Sequence, residues 1–220
     1  MKNFKMGLAL LAATLMLAAC GGGDDDEKPR SVTSVKVMGD SLADSGTFTG
    51  VPGFGRIFSV QGSANEPNVV WTERIAVAYG LSGLCNYYRS NGSSFSTNPT
   101  PGCSSYAIGG SRINNLADLG PLSPLSIPKQ LQDAGAGGNY PATDLLLIDG
   151  GGNDAADLVT AYLRAAAGDT AIYPALLLTV LSGDVVSSTL AMPNGAAQAG
   201  NLYMNKLADR FYNAIQTHAL

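Results

Sequence analysis

Three short apolar runs stand out in the pattern of hydrophobic and polar positions. Val32–Met38 alternates apolar with polar residues, which predicts a strand. Asp144–Asp149 encloses a continuous run of leucine and isoleucine, the pattern of a parallel strand buried on both faces. Ser104–Ile108 is a shorter third run that also ends at a glycine. Strands separated by helical segments predict an α/β fold with a parallel sheet.

Apolar residues at helical spacing predict helices between and after these strands. In Trp71–Tyr79 we place Trp71, Ile75 and Ala78 on one buried face, with Gly80 ending the helix. Ala171–Leu181 is apolar nearly all round, so it is either a core helix or a cap over an acyl site, and we favour the core helix. The other predicted helices are 126–134 with Ser126 as its cap, 155–167, and an amphipathic helix from 196 onward.

The N-terminal residues predict export. Two lysines precede an apolar stretch from Met6 to Leu17, as in a signal peptide, so we assign residues 1–19 to a signal. Leu17-Ala18-Ala19-Cys20 resembles the lipobox of bacterial lipoproteins, in which the cysteine is lipidated; the alternative is an ordinary secretory signal with Cys20 as a bystander. Residues 20–31 are glycine-rich and acidic and predict a flexible tether before a domain at 32–220. We expect a cell-envelope protein, lipid-anchored on the periplasmic side or cell surface, or secreted.

Composition narrows the functional classes. The formal charge of −4 falls to −6 when Lys2 and Lys5 are removed with the signal, which argues against nucleic-acid binding. In an oxidising compartment the remaining cysteines, Cys85 and Cys103, predict a disulfide; two free buried thiols are the alternative. Since the sequence has one histidine and three cysteines, we expect neither a zinc site nor a cofactor.

Each predicted strand ends in a short motif, and the first contains a candidate nucleophile. Gly39-Asp40-Ser41-Leu42 places Ser41 just past a strand's carboxyl end, where α/β sheets collect ligands. If a helix begins there, the Ser41 N–H is free to bind developing negative charge; the alternative is that Ser41 only caps the helix. Gly151-Gly152-Asn153-Asp154 lacks the Lys-Ser/Thr ending of a phosphate loop, which argues against nucleotide binding.

Taken in order, three motifs resemble the first three sequence blocks of the GDSL esterases and lipases, also called SGNH hydrolases. They are Gly39-Asp40-Ser41-Leu42, Ala107-Ile108-Gly109-Gly110 and Gly151-Gly152-Asn153-Asp154. The resemblance implies a flavodoxin-like three-layer α/β/α sandwich that hydrolyses carboxylic esters. It assigns Ser41 as the nucleophile and forms the oxyanion hole from the Ser41 N–H, the Gly110 N–H and the Asn153 side chain. Gly109 is the alternative to Gly110.

The sequence departs from this family near its C-terminus. The family's last block has Asp and His three residues apart, whereas the single histidine here, His218, follows Ile215 at that spacing and continues a helix. We therefore expect His218 to be a helix-end cation and not the catalytic base. Three predicted strands also fall short of the family's five or so, so we expect the last strands to be missing from these 220 residues.

The sequence thus predicts an exported, lipid-anchored hydrolase of small-molecule or lipid esters, with the 220-residue form inactive or nearly so for lack of an Asp–His pair. The alternative is a non-catalytic surface lipoprotein that binds glycan or lipid in a degenerate hydrolase cleft.

Overall fold

The computed structural model describes residues 31–55, 69–117, 119–136 and 140–219. The predicted signal, Cys20 and nearly all of the acidic tether lie outside the described residues. The strands are β1 (Ser34–Met38), β2 (Tyr88–Ser90), β3 (Phe95–Thr97) and β4 (Asp144–Ile148). The helices are α1 (Trp71–Ala78), α2 (Ile127–Gly135), α3 (Gly152–Ala166), α4 (Ile172–Leu178), α5 (Gly183–Leu190) and α6 (Gly195–Ala219), with a 3₁₀ turn at Gly120–Leu122. The protein is therefore a mixed α/β protein.

The small parallel sheet is built on β1 and β4. They pair with Ser34 opposite Asp144 and Met38 opposite Ile148, so both strands end at the same edge of the sheet. The Lys36 ammonium lies 3.2 Å from the Asp144 carboxylate at the opposite, amino end. Both strands match the sequence prediction to within about two residues at each end, the usual precision of such boundaries.

The third predicted strand, 104–108, lies beside β1 on the side away from β4. Val37 N–H donates to the Ser104 carbonyl at 3.0 Å, and Tyr106 N–H donates back to Val37 at 2.7 Å. The next bond of a parallel ladder would join the Gly39 N–H to the Tyr106 carbonyl. Instead, the Gly39 N–H donates to Gln130 Oε1 of α2 at 2.8 Å. The Ile108 N–H still donates to the Gly39 carbonyl at 3.1 Å. The segment is therefore an extended chain paired with β1, with one ladder bond replaced, and not the regular strand that we predicted.

The two faces of the sheet enter different apolar clusters. Val35 and Val37 of β1 pack with Ala76 of α1 on one face. Met38 points the other way and packs with Leu131 of α2, in a cluster that Phe211 of α6 also joins. The alternation along β1 is the two-residue period that the sequence predicted, and it places helices against both faces.

The predicted buried face of α1 was wrong. Of the three residues named, Ile75 is partly buried against the core, but Trp71 and Ala78 are exposed. The buried residues of α1 are Thr72, Glu73 and Ala76. Burial of two polar residues is possible because each meets a backbone group: Thr72 Oγ1 lies 3.5 Å from the Ala43 carbonyl, and Glu73 Oε2 accepts the Val70 N–H at 2.9 Å. Hydrophobic periodicity cannot find a face that is buried through hydrogen bonds.

Helices α3 to α6 form a second core beside the sheet. Leu177 of α4 is fully buried there with Tyr203 and Leu207 of α6, which confirms that the apolar stretch at 171–181 packs in a core. Pro174 lies in the first turn of α4, where its missing N–H costs no helical hydrogen bond. Helix α5 lies between α4 and α6 in the chain, and its Val186 is buried in the same core. No helix among the described residues is long and apolar enough to cross a membrane.

The predicted loop between the cysteines contains a β-hairpin. Strands β2 and β3 pair in antiparallel fashion, with Tyr88 opposite Thr97. The predicted disulfide between Cys85 and Cys103 is present, with the two Cα atoms 4.8 Å apart. Two links hold this hairpin beside the 104–108 segment: the disulfide, and a hydrogen bond in which the Ser105 N–H donates to the Cys85 carbonyl at 3.1 Å.

Candidate active site

The three predicted site residues follow the carboxyl ends of three adjacent parallel segments. Ser41 comes after β1, Gly110 after the 104–108 segment and Asn153 after β4. Because β1 lies between the other two, all three motifs meet at one edge of the sheet. Such an edge is where open α/β sheets bind their ligands.

Ser41 sits in a single tight turn and not at the start of a helix. The Ala43 and Asp44 N–H groups both donate to the Asp40 carbonyl, at 3.1 and 3.0 Å, and the chain then leaves the turn. The Leu42 N–H donates to Asp40 Oδ1 at 3.0 Å. Both helix-based interpretations of Ser41, as a helix cap and as an orphan helix donor, are therefore wrong. Ser41 is half-buried at the tip of a turn fixed by Asp40.

Asp44 connects this turn to the neighbouring segment. Its side chain is buried, and its Oδ2 accepts the Gly109 N–H at 2.8 Å. Its Oδ1 accepts the N–H groups of Gly46 and Thr47 and the Asn86 amide, at 2.9, 2.8 and 3.1 Å. Burial raises the pKa of Asp44, and these N–H groups oppose that shift. One carboxyl group thus holds the Ser41 turn, the Gly109 backbone and the disulfide-linked hairpin together.

The backbone N–H groups of Gly109 and Gly110 have different surroundings. The Gly109 N–H is used by Asp44, whereas the Gly110 N–H makes no hydrogen bond with any part of the chain that the structure describes. Gly110 has a φ of +87°, in the left-handed region that favours glycine. Between the two residues considered as oxyanion donors, this geometry favours Gly110.

The Gly110 peptide is also held from its carbonyl side. Arg112 Nη1 donates to the Gly110 carbonyl at 2.6 Å. The same guanidinium pairs with both carboxylate oxygens of Asp157 on α3, one of them through Nη2 at 3.0 Å. Hydrogen bonding to Asp157 raises the pKa of Arg112, against the effect of burial. The ion pair ties Gly110 to the helix that carries Asn153.

Asn153 lies in the first turn of α3, which begins after Gly151 at a φ of +96°. Its Nδ2 donates to the Ser111 carbonyl at 2.9 Å, which orients the amide beside the segment that follows Gly110. A primary amide nitrogen carries two N–H groups, so one remains to bind a ligand oxygen. Asp154, the next residue, is buried and accepts the Ile113 and Asn114 N–H groups at 2.9 and 2.8 Å.

Gln130 supports the same edge from α2. Its side chain is fully buried; Oε1 accepts the Gly39 N–H, and Nε2 donates to Ser111 Oγ at 2.9 Å and to the Pro124 carbonyl at 3.0 Å. A buried amide with its donors and acceptor used is a rigid bridge between two backbone segments. It joins the end of β1 to the residue that follows Gly110.

Two carboxyl groups face one another where β1 and β4 end. Asp149 Oδ1 accepts the Asp40 N–H at 3.1 Å, in space left by the missing side chain of Gly39. Burial, and then the Asp40 carboxylate, raise the pKa of Asp149 to about 6, while the Asp40 N–H and the Trp71 indole act in the opposite direction. Asp149 is therefore a half-buried group that changes charge near neutral pH, directly beside the Ser41 turn.

His218 lies at the other end of α2 from this edge. A Cβ placed on Gly135, the last residue of α2, would be 2.9 Å from the His218 carbonyl. The first residue, Ile127, packs against Gly150 at the site edge. The nine residues of α2 span about 13 Å. His218 is thus the penultimate residue of a helix that ends at Ala219, as the sequence predicted, and it is not placed at the Ser41 edge.

Comparison with known proteins gives no further assignment. No family model matches this chain, and neither does any curated protein. Among the described residues, no three histidine, cysteine or carboxylate side chains form a group that could hold a metal ion.

Sequence reasoning missed the residues that position the candidate donors. Asp44, Arg112, Gln130 and Asp157 lie outside the three motifs, and each of them has at least one partner in a distant part of the chain. A usable signal existed only for Asp44, an acidic residue three positions after Ser41 in a segment otherwise free of charge up to residue 55. The site edge thus offers backbone and amide donors held by buried polar side chains, which suits stabilisation of an oxyanion.

Proposed function

We propose that this protein is an exported ester hydrolase of the GDSL type, with Ser41 as its nucleophile. The observation that carries the proposal is the contrast between the two glycine N–H groups: Asp44 occupies that of Gly109, and that of Gly110 is left to bind a ligand. An oxyanion hole needs preorganised donors of this kind, because a donor that must reorient contributes far less to the transition state.

In the proposed reaction, Ser41 Oγ attacks the ester carbonyl carbon, and the carbonyl oxygen becomes an oxyanion. The Ser41 N–H, the Gly110 N–H and the Asn153 amide stabilise that charge. The C–O bond to the alcohol then breaks, the alcohol leaves with a proton, and the acyl-Ser41 ester is hydrolysed by water to the acid. The serine proton must pass to a base, and no histidine among the described residues lies at the Ser41 edge.

For the fold, we propose the three-layer α/β/α sandwich expected of such hydrolases. Two features support it. Apolar clusters cover both faces of the sheet. Among the three parallel segments, β1 is first in the chain and lies between the second, 104–108, and the third, β4. That order begins the flavodoxin-like arrangement, in which ligands bind beside the first and third strands. Here these strands carry Ser41 and Asn153.

Labelling with a fluorophosphonate probe tests the nucleophile. The full-length chain is treated with the probe with and without added imidazole, which supplies a base from solution, and the modified residue is mapped by mass spectrometry. We expect slow labelling at Ser41 that imidazole accelerates and that Ser41→Ala abolishes. Ser187→Ala, which alters an exposed serine on α5, is the matched control. Random labelling, or none under either condition, would reject Ser41 as the nucleophile.

Within the described part of the chain, the placement of His218 away from the Ser41 edge favours a second candidate, a non-catalytic surface lipoprotein that binds glycan or lipid at that edge. Labelling of Ser41, measured together with ligand binding, distinguishes the two functions. If a form of the protein supplied with a base leaves Ser41 unlabelled yet binds lipid or glycan at the Ser41 edge, so that Ser41→Trp weakens binding, the binding function is the better description.

For the location, we propose a lipid anchor on Cys20. Cys20→Ser is expected to abolish lipidation and to leave the protein as an unprocessed precursor or in soluble form. Metabolic labelling with a fatty-acid analogue, followed by membrane fractionation, measures both effects. Unchanged lipid incorporation in this variant would exclude Cys20 as the modified residue.

A further inference from the structure

A cavity of about 450 Å³ lies at the amino end of the sheet, away from the Ser41 edge. Ser34 and Lys36 of β1 line it, together with Ser104 and Tyr106 of the neighbouring segment. The opposite wall is the turn around Thr100, between the hairpin and the disulfide. Its volume is within the range of small-molecule sites, and none of its lining belongs to the candidate active site.

The wall is fixed in place by several bonds. The Cys85–Cys103 disulfide closes its base, and Pro99 and Pro101 restrict the backbone within it. Asn98 holds the near end: its N–H donates to the Tyr87 carbonyl at 2.6 Å and its Nδ2 donates to the Asn86 carbonyl at 2.9 Å. A preformed wall lowers the entropic cost of binding, because this segment of the protein need not become ordered when a ligand binds.

Hydroxyl groups are frequent in the lining of this cavity, although the Tyr106 side chain among them is buried. Five hydroxyl-bearing residues line it, and within the described part of the chain none of their hydroxyls makes a hydrogen bond to another group. They are Ser34, Tyr87, Thr100, Ser104 and Tyr106. Each hydroxyl can both donate and accept, so the lining matches a ligand that carries several hydroxyls of its own.

The same lining contains two stacked aromatic rings, of which Tyr87 is half-buried and Tyr106 buried, and it carries little net charge. The Tyr87 and Tyr106 rings stack with their centroids 4.4 Å apart and 29° between their planes. The one charged residue of the lining is Lys36, and its ammonium is already paired with Asp144 at 3.2 Å and placed 4.4 Å from the centre of the Tyr140 ring. A ligand therefore gains little from being charged.

We propose that this cavity is a binding site for a neutral saccharide. A pyranose ring combines several hydroxyls with a face of C–H groups, and such a face packs on an aromatic ring while the hydroxyls exchange hydrogen bonds with the rim. The site is independent of ester hydrolysis, because it lies at the other end of the sheet from Ser41. It would attach the protein to glycans, whatever chemistry the Ser41 edge carries out.

Nuclear magnetic resonance titration of the full-length protein tests this site. Glucose, galactose, N-acetylglucosamine and their β-linked disaccharides are added separately, with glucuronate as the charged comparison, and the Tyr87 and Tyr106 ring signals are followed. We expect saturable shifts with at least one neutral sugar at about millimolar concentration. Ser41→Ala should leave the affinity unchanged, which separates this result from the fate of the proposed hydrolase.

Thr100→Trp provides the specific variant, because Thr100 is exposed at the rim and a large side chain there obstructs the cavity. The matched control is Thr97→Trp, an exposed position at the end of the neighbouring strand β3 that does not line the cavity. We expect Thr100→Trp to weaken binding at least tenfold and Thr97→Trp to leave it unchanged. The proposal is overturned if no neutral sugar gives saturation, if the two variants bind equally, or if glucuronate alone binds.

Discussion

Asp44 Oδ2 accepts the Gly109 N–H at 2.8 Å, and this bond joins the turn that carries Ser41 to the segment that carries Gly110. By occupying the first of two adjacent glycine N–H groups, Asp44 fixes the orientation of the second. The carboxyl group is thus a positioning group for the candidate oxyanion hole, and it touches neither the ester nor the nucleophilic oxygen in the proposed reaction.

Asp44→Asn is expected to destabilise the protein and to loosen Gly109 and Gly110. An amide has one acceptor oxygen in place of two, and its NH₂ group would face N–H donors, so at least one buried donor loses its partner. The cost of such a loss is about 1–3 kcal/mol. Urea unfolding measures the change in stability, and amide hydrogen exchange measures the protection of Gly109 and Gly110.

Asp209→Asn is the control for that experiment, since Asp209 is an exposed aspartate on α6. It should change neither quantity. Asp44→Glu should restore part of the protection if the charge and acceptor atoms are what Gly109 requires. Equal protection of Gly109 in Asp44→Asn and in the unmodified protein would contradict the positioning role.

Gly39→Ala is expected to be strongly destabilising because of Asp149. A Cβ on Gly39 would overlap Asp149 Oδ1 and would lie 2.7 Å from Asp149 Cγ, so one of the two segments must move. Overpacking of this kind typically costs about 1–3 kcal/mol. The double variant Gly39→Ala/Asp149→Gly removes the obstructing carboxyl group, and a double-mutant cycle in urea should therefore show a favourable coupling. Additive effects would show that the overlap is not the cause.

The pH dependence of stability should contain a contribution from Asp149. Its pKa rises from 3.8 when unfolded to about 6 when folded, so between these values the native state binds more protons than the unfolded chain. Stability from this group is therefore present at low pH and lost as the pH rises through about 6. The full shift corresponds to about 3 kcal/mol, which partial exposure of the carboxyl group reduces to about 1–2 kcal/mol.

Asp149→Asn keeps an oxygen acceptor for the Asp40 N–H and removes the ionisation. Relative to this variant, the unmodified protein should lose stability between about pH 4 and pH 7, as measured by urea unfolding at several pH values. Taking the difference between the two proteins cancels the other titrating groups, including Asp44 and Asp154. A difference that stays constant over this range would show that Asp149 does not change charge there.

The sequence predicted the elements that depend on local pattern. The alternation in β1 and the continuous apolar run of β4 gave both strands and their orientation, and the glycine motifs gave the edge where Ser41, Gly110 and Asn153 meet. These features can be predicted from the sequence because a strand's side-chain period and a glycine's conformational freedom depend on only a few neighbouring residues.

The sequence did not predict the contacts that depend on distant partners. Gln130 accepts the Gly39 N–H in place of a ladder bond with the 104–108 segment, so that segment is not a regular strand. Gln130 belongs to a helix and lies more than twenty residues after the segment in the chain. Thr72 and Glu73 are buried because they satisfy backbone groups, which reversed the predicted face of α1. A hydrogen bond between separate elements leaves no periodic trace in either of them.

His218 is the one histidine of the chain. If it were the base for Ser41, replacing it would remove most of the reactivity of the serine, since loss of a catalytic histidine costs a hydrolase about 10⁶-fold. Its backbone instead lies against Gly135, at the end of α2 remote from Gly150 and the site edge, and no carboxylate precedes it at a spacing of three residues. His218→Ala should therefore change the rate of fluorophosphonate labelling at Ser41 by less than about twofold.

Gln216→Ala, an exposed change on the same turn of α6, is the control for loss of helix stability. A large loss of labelling in His218→Ala with normal labelling in Gln216→Ala would make His218 the base and would require the C-terminal part of α6 to move to the Ser41 edge when the protein reacts.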